Sequence, residues 1–283
     1  MLFPEKFTTH YASKFRRSNC PLRKQVKFSE QENVKCRGYK KDPLGEADAE
    51  IENGFLQKYK GRLLVLASNE CAINCRFCFR RNMRHKKYYG LPEKLAEILK
   101  RDKSIKEVIL SGGDPLMLKC GEIRDIFKSI PKNLNIRIHS RVPIAMPSKF
   151  TPEMFSLFKQ NGERMVLVVH TNHANELDSE SKKIFQRLAK YKITLFNQSV
   201  LLKGINNNAK TLAELSEKLF SQGVLPYYLH VLDKANGASH FDIPVSEAKA
   251  IFNELKGLLP GYLVPKMVRE LKGKSSKTWI GSG

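Results

Sequence analysis

Between Arg62 and Val231 the chain alternates short β-branched runs with longer stretches whose apolar residues recur every three or four positions. The short runs predict six strands: Arg62 to Leu66, Glu107 to Leu110, Ile136 to His139, Met165 to Val169, Thr194 to Gln198 and Leu225 to Val231. The stretches between them predict amphipathic helices. Ile123, Ile126, Phe127 and Ile130 keep one helical face; Thr151-Pro152 opens a helix with Gly162 beyond its end; Thr211 and Glu214 read as a capping box ahead of Leu215 and Leu219. Strand, helix, strand in this order is the pattern of parallel βαβ units, and six of them are too few to close an eight-stranded barrel. The fold class that follows is α/β, an open partial (β/α)6 barrel over residues 61–283. Residues 1–60 are polar, Lys-rich and weakly periodic, and read as a mostly helical or irregular cover.

The chain has 283 residues, enough for one sizeable core. No run approaches the ~18 apolar residues of a membrane span, and Met1 to His10 lacks the apolar stretch of a signal peptide, so a cytoplasmic protein without membrane contact is expected. Cys20, Cys36 and Cys120 are scattered, which fits a reducing compartment. The formal charge of +22 invites a nucleic-acid partner. Acidic residues interleave with the basic ones, however, and stacking platforms are missing from between them. A basic RNA-modifying or RNA-binding iron-sulfur protein therefore stands as the alternative of another class.

Cys71, Cys75 and Cys78 lie in one octet. Three thiolates suit three irons of a four-iron cluster and leave the fourth open to a ligand. A closed zinc site would need a fourth donor, and the nearest candidate is His85, in a loop full of Arg and Lys. Gly112 and Gly113 directly follow a predicted strand, where absent side chains let backbone N–H groups approach a ligand. In βα architectures chemistry collects where strands end. The cysteine loop, Ser111 to Asp114, Ser140-Arg141, His170, Gln198-Ser199 and Asp233 all fall at such ends.

The stretches Cys71 to Arg81, Ser111-Gly-Gly-Asp-Pro-Leu, His139-Ser-Arg-Val-Pro, Asn172-His-Ala-Asn-Glu, Asn197-Gln-Ser-Val-Leu-Leu, Tyr227-Tyr-Leu-His-Val-Leu-Asp-Lys, Gly261-Tyr-Leu-Val-Pro-Lys and Ser276-Lys-Thr occur in the order found in one family. From about Asp42 to Lys277 the chain resembles the radical S-adenosylmethionine lysine 2,3-aminomutases, within them the type that makes β-lysine for modification of elongation factor P. The resemblance implies a [4Fe-4S] cluster on Cys71, Cys75 and Cys78, and S-adenosyl-L-methionine against Ser111, Gly112, Gly113 and Asp114. It makes Lys277 the lysine that carries pyridoxal 5'-phosphate, with Arg62, His170 and Gln198 in that cofactor's pocket. Arg80 becomes a bidentate clamp for the carboxylate of L-lysine, and Asp233 and Glu270 the pair that holds its far ammonium. The implied reaction moves the α-amino group to the β-carbon, with an electron-donating reductase as partner.

Two positions depart from the wider family: Trp279 stands where relatives continue with Pro, and Glu270 where free-lysine mutases have Asp. A free-lysine 2,3-aminomutase of catabolism or osmolyte synthesis is the alternative within the family, though such relatives are usually longer at both ends. A homo-oligomer is compatible with the sequence.

Overall fold

The computed structural model describes residues 3–16, 18, 20–83 and 88–280; His85 lies outside them. Two single-turn helices come first, α1 (Thr9–Ala12) and α2 (Pro21–Lys24), followed by the short antiparallel pair β1 (Glu50–Glu52) and β2 (Phe55–Leu56). Next come β3 (Arg62–Ser68), α3 (Leu91–Arg101), β4 (Glu107–Gly112), α4 (Cys120–Lys128), β5 (Asn135–Ser140), the single turn α5 (Val142–Ala145) and α6 (Pro152–Lys159). The chain continues through β6 (Met165–His170), α7 (Ser179–Lys190), β7 (Thr194–Leu201), α8 (Ala209–Ser221), β8 (Leu225–Val231) and α9 (Val245–Leu258), and ends in β9 (Lys266–Arg269) and β10 (Thr278–Trp279). The strands lie in sequence order in one sheet, parallel from β3 to β9 and antiparallel at both ends. Among the described residues β1 and β10 do not pair, so the barrel is open.

Six βα units are present, as the pattern implies, and a seventh parallel strand, β9, follows them. At four residues it is too short for period-two alternation to announce it. One cap differs from expectation. Asn208, not Thr211, caps α8: its Oδ1 accepts from Thr211 N at 2.8 Å, which places Thr211 inside the first turn. Thr151 caps α6, accepting from Met154 N at 3.2 Å. Gly162 lies beyond that helix, and only glycine fits there because a Cβ would meet Tyr191 O at 1.8 Å.

Alternation along the strands builds the site. Leu63 and Val65 of β3, Ile136 and Ile138 of β5 and Leu229 of β8 are fully buried on the helix side, against apolar stripes such as Leu95 and Ile98 of α3. Each such burial is worth about 1.5–3 kcal/mol. The intervening residues, Arg62, Arg137, His139, His170, Gln198 and His230, point into the barrel and line a cavity of about 350 Å³. A filled barrel would carry branched apolar side chains there. This one is hollow, and its charged and polar side chains share the lining with apolar ones such as Leu64 and Ile109.

The segment before β3 shares that core, since Tyr11, Leu22 and Val26 are buried in it. It also backs the cysteine loop. Arg76 N donates to Gln25 O at 2.8 Å, and the Arg76 guanidinium, flanked by the rings of Phe3 and Phe28, donates to both oxygens of Glu32 at 2.8 and 2.5 Å. Arg81 reaches the same carboxylate.

Candidate functional site

All three cysteines of the octet open half-buried into the cavity, and none is in a disulfide. No group of three His, Cys, Asp or Glu converges on a single metal-ion position among the described residues. A four-iron cluster asks something else, a different iron for each thiolate, and a shared cavity meets that demand. Arg141 fits the donor set to anionic sulfur: its Nη1 donates to Cys75 Sγ at 2.9 Å. That guanidinium is buried, which alone would lower its pKa; Cys75 and Glu176 hold it well above the usual arginine value instead. Its Nη2 donates to Glu176 Oε2 and Gln25 Oε1, each at 2.6 Å, and to the Tyr11 hydroxyl at 3.1 Å.

The glycine pair joins the cysteine loop to β4. Gly112 has φ +110, and a Cβ on it would lie 2.5 Å from Ser68 O; one on Gly113 would lie 2.3 Å from Glu70 O. Their N–H groups are only in part free for a ligand, because Gly113 N donates to Ser68 O at 2.5 Å. Asp114 turns to the protein as well. Its carboxylate accepts from Ser140 Oγ at 2.8 Å, Arg141 N at 2.7 Å, Leu116 N at 3.1 Å and Val142 N at 3.2 Å, so it fixes the loop that carries Arg141. Burial raises its pKa against those bonds.

From the cysteine side toward Lys277 the cavity carries a ladder of alternating charge. Arg80 Nε and Nη2 donate to the two oxygens of Glu46 at 2.6 and 2.7 Å, and its Nη1 donates to Ser111 Oγ at 2.9 Å and Gly112 O at 3.2 Å. A guanidinium has five N–H donors, so one remains. The bidentate place expected for a substrate carboxylate is taken by Glu46. Lys58 Nζ lies 3.3 Å from Glu46 Oε1 and 2.7 Å from Glu270 Oε1, and Lys277 Nζ lies 2.6 Å from Glu270 Oε2. Burial alone would raise the Glu270 carboxyl, but Lys277 and Lys58 hold it at about 2. Asp233, two residues past β8, goes the other way: burial, with Glu270 adding to it, pushes it up to about 7.

Lys277 reaches this point because β10 pairs with β9, setting Thr278 opposite Arg269. Its Nζ is also 5.8 Å from the Tyr228 ring. Arg62 lies over the Tyr59 ring at 4.9 Å, and Gln198 faces the same cavity from β7. His170 stacks on Phe77 with ring centroids 5.7 Å apart; burial brings it to about 3, which keeps it neutral, and its Nε2 is buried without a hydrogen-bond partner among the described residues.

Every residue to which the resemblance gives a role therefore borders one cavity, whereas Ser199 does not line it. Sequence reasoning missed Glu46, Lys58, His139 and His230. For the histidines a signal existed, because each alternates with buried aliphatic residues at a strand end. Glu46 and Lys58 lie in a stretch without periodicity and carried none.

With this geometry in hand, comparison with known proteins is decisive. The Radical SAM superfamily family model matches residues 65–215, from within β3 into α8. A radical SAM methyltransferase from Sphaerobacter thermophilus has a similar fold, with TM-score 0.53 at 13% identity, covering 76% of this chain and 68% of that one. The cysteine octet at the mouth of an open parallel barrel thus defines a radical SAM protein, which implies a [4Fe-4S] cluster and S-adenosylmethionine. The chain is 44% identical to the L-lysine 2,3-aminomutase of Haemophilus influenzae, over 91% of its own length and 78% of that relative. It is 43% identical to the L-lysine 2,3-aminomutase of Escherichia coli, over 91% and 77%. It belongs to the lysine 2,3-aminomutase family.

Among the described residues no helix is long and apolar enough to cross a membrane.

Proposed function

We propose that this chain converts L-lysine to β-lysine by moving the amino group from the α- to the β-carbon, with pyridoxal 5'-phosphate carried on Lys277. The observation that carries the reading is one cavity that holds three cysteines toward one wall and a lysine–carboxylate pair, Lys277 and Glu270, toward the other. The residues fit both groups: the Cys75 thiol faces Arg141, and the Lys277 amine shares its cavity with the cations Arg62, Arg137 and Lys58, suited to a phosphate. When bound, the cluster with S-adenosylmethionine supplies a radical that opens a C–H bond, and pyridoxal phosphate supplies the conjugation that spreads the unpaired electron.

The chain's own residues recognise the two ends of lysine. Arg80 meets the carboxylate through the Nη2 proton that Glu46 leaves free. Asp233 and Glu270 receive the far ammonium. The ionised fraction of Asp233 grows as a cation arrives, because an adjacent positive charge stabilises the carboxylate. Arg62, Gln198 and the neutral His170 border the pyridoxal side; Ser111, Gly112, Gly113 and Asp114 shape the wall beside the cysteines. The product's use in modifying elongation factor P is supported by Glu270, the acid found in that branch of the family.

Anaerobically reconstituted protein given isotopically labelled lysine, pyridoxal phosphate, S-adenosylmethionine and a reductant should yield β-lysine by mass spectrometry. S-adenosylmethionine cleavage without isomerised lysine would count against the reading. Lys277→Ala should lose the bound pyridoxal absorbance and the isomerisation yet keep its iron; absorbance retained on another lysine would refute the assignment.

A further inference from the structure

One rung of the charge ladder belongs to no motif of the sequence. The Glu46 side chain is 2% exposed, yet it holds two cations, Arg80 through two parallel bonds and Lys58 at 3.3 Å. Lys58 in turn bonds Glu270. Backbone geometry fixes the carboxylate, since the Ala47 N–H that follows it donates to Asp42 Oδ2 at 3.1 Å and closes the loop before β1. One buried carboxylate thus stands between the group that meets a substrate's carboxylate and the group that meets its far ammonium.

We infer that Glu46 is a positioning residue that, with Lys58, sets the distance between the two recognition ends and so selects amino acids by chain length. The inference rests on lysine being the substrate. Glu46 leaves Arg80 one free N–H and prevents the guanidinium from turning, which fixes where a substrate carboxylate can bind. Through Lys58 the same carboxylate restrains Glu270. A carboxylate that only neutralised two buried cations would tolerate any geometry that kept the charge. A spacer would not.

Substitutions that change charge and length separately decide it. Glu46→Gln keeps the shape without the charge, and Glu46→Asp keeps the charge one methylene shorter. Anaerobic calorimetric titration of the cofactor-loaded protein with lysine and with ornithine, one methylene shorter, should show Glu46→Gln weakening lysine about tenfold or more. Glu46→Asp should bind lysine within a few-fold of wild type but lose most of the lysine-over-ornithine preference. Iron content and pyridoxal absorbance should stay at wild-type level in both, and KM should move more than kcat.

Wild-type preference in Glu46→Asp, with its cofactors loaded, would overturn the inference and leave only a neutralising role. If Glu46→Gln does not fold, Lys58→Met replaces it: equal loss of preference supports the spacer, and unchanged preference refutes it. Wild-type protein that binds no lysine would overturn the lysine reading itself, whereas a wild type that binds lysine with variants that discriminate as it does would sink this inference alone.

Discussion

The two walls of the cavity handle buried charge in opposite ways. Beside the cysteines the network is nearly closed: Arg141 meets Glu176, Tyr11, Gln25 and Cys75 and leaves its Nε buried without a partner among the described residues, and Glu176 also accepts from Gln25 Nε2 at 3.1 Å and Asn172 N at 2.9 Å. Around Lys277 it is open, because Asp233 stays near 7 although two lysines surround the neighbouring Glu270. A closed network is a scaffold, and its charges cost little once formed. An incompletely compensated carboxyl is poised to receive a cation from outside. The same fold therefore pairs most of the charge on one side of the cavity and leaves the other able to receive a cation.

The sharpest way to break this comparison is to remove a thiol. Cys75→Ala should take bound iron from about four per chain to a trace and abolish reductive cleavage of S-adenosylmethionine. Full iron loading in the variant, measured with cleavage activity, would show that the cysteine wall does something else.

Next in size is Asp233→Ala. It leaves Glu270 to neutralise the substrate ammonium while Lys58 and Lys277 already claim it. Loss of a partner in a desolvated charge pair costs ~2–5 kcal/mol, so kcat/KM for lysine should fall by roughly thirty- to several-thousand-fold with cofactors still bound. Glu270→Ala should act in the same direction, and the double variant should be less than additive because both acids serve one group. Values near wild type in both single variants would remove lysine from this wall.

On the closed side the effect should fall on the fold. Glu176→Ala strands the buried Arg141, and breaking such a pair costs about 3–5 kcal/mol. Its thermal midpoint should drop by several degrees or more even without cofactors. A variant that melted like wild type but bound lysine poorly would invert the comparison.

How much of this was legible in the sequence follows the same division. The barrel was, because six strands and their helices are local patterns of period two and 3.6. The cysteine wall was too, since three ligands within eight residues need no tertiary information. The ladder was legible only at Arg80, Asp233, Glu270 and Lys277, through the family resemblance. Glu46 reaches Arg80 across 34 residues and Lys58 reaches Glu270 across 212, and no local spacing encodes such pairs. Arg80 shows the cost of this. Its motif was readable, but the partner that limits it to one free N–H was not. The strand β9 escaped for another reason: it is held by pairing with β8 and β10 more than by its own four residues.

The smallest expected effect tests the open side most directly, through the sign of a pH dependence. The folded-state pKa of Asp233, about 7, lies above the ordinary value near 3.9. A group shifted upward holds its proton more tightly when folded, so its contribution to stability is intact below about pH 4, declines as pH rises and is a full penalty above about 7. Asp233→Asn keeps the shape and cannot ionise. The substrate-free variant should therefore melt with wild type at about pH 4 and above it at pH 8, by an amount corresponding to about 1–3 kcal/mol after discounting for the nearby lysines. Saturating lysine should narrow the difference, because the bound ammonium stabilises the aspartate that the asparagine lacks. Melting curves at pH 4 and pH 8, each with and without lysine, are sufficient. An asparagine variant less stable than wild type at pH 8 without substrate would mean that Asp233 is already paired in the empty site, and the contrast between the two walls would disappear.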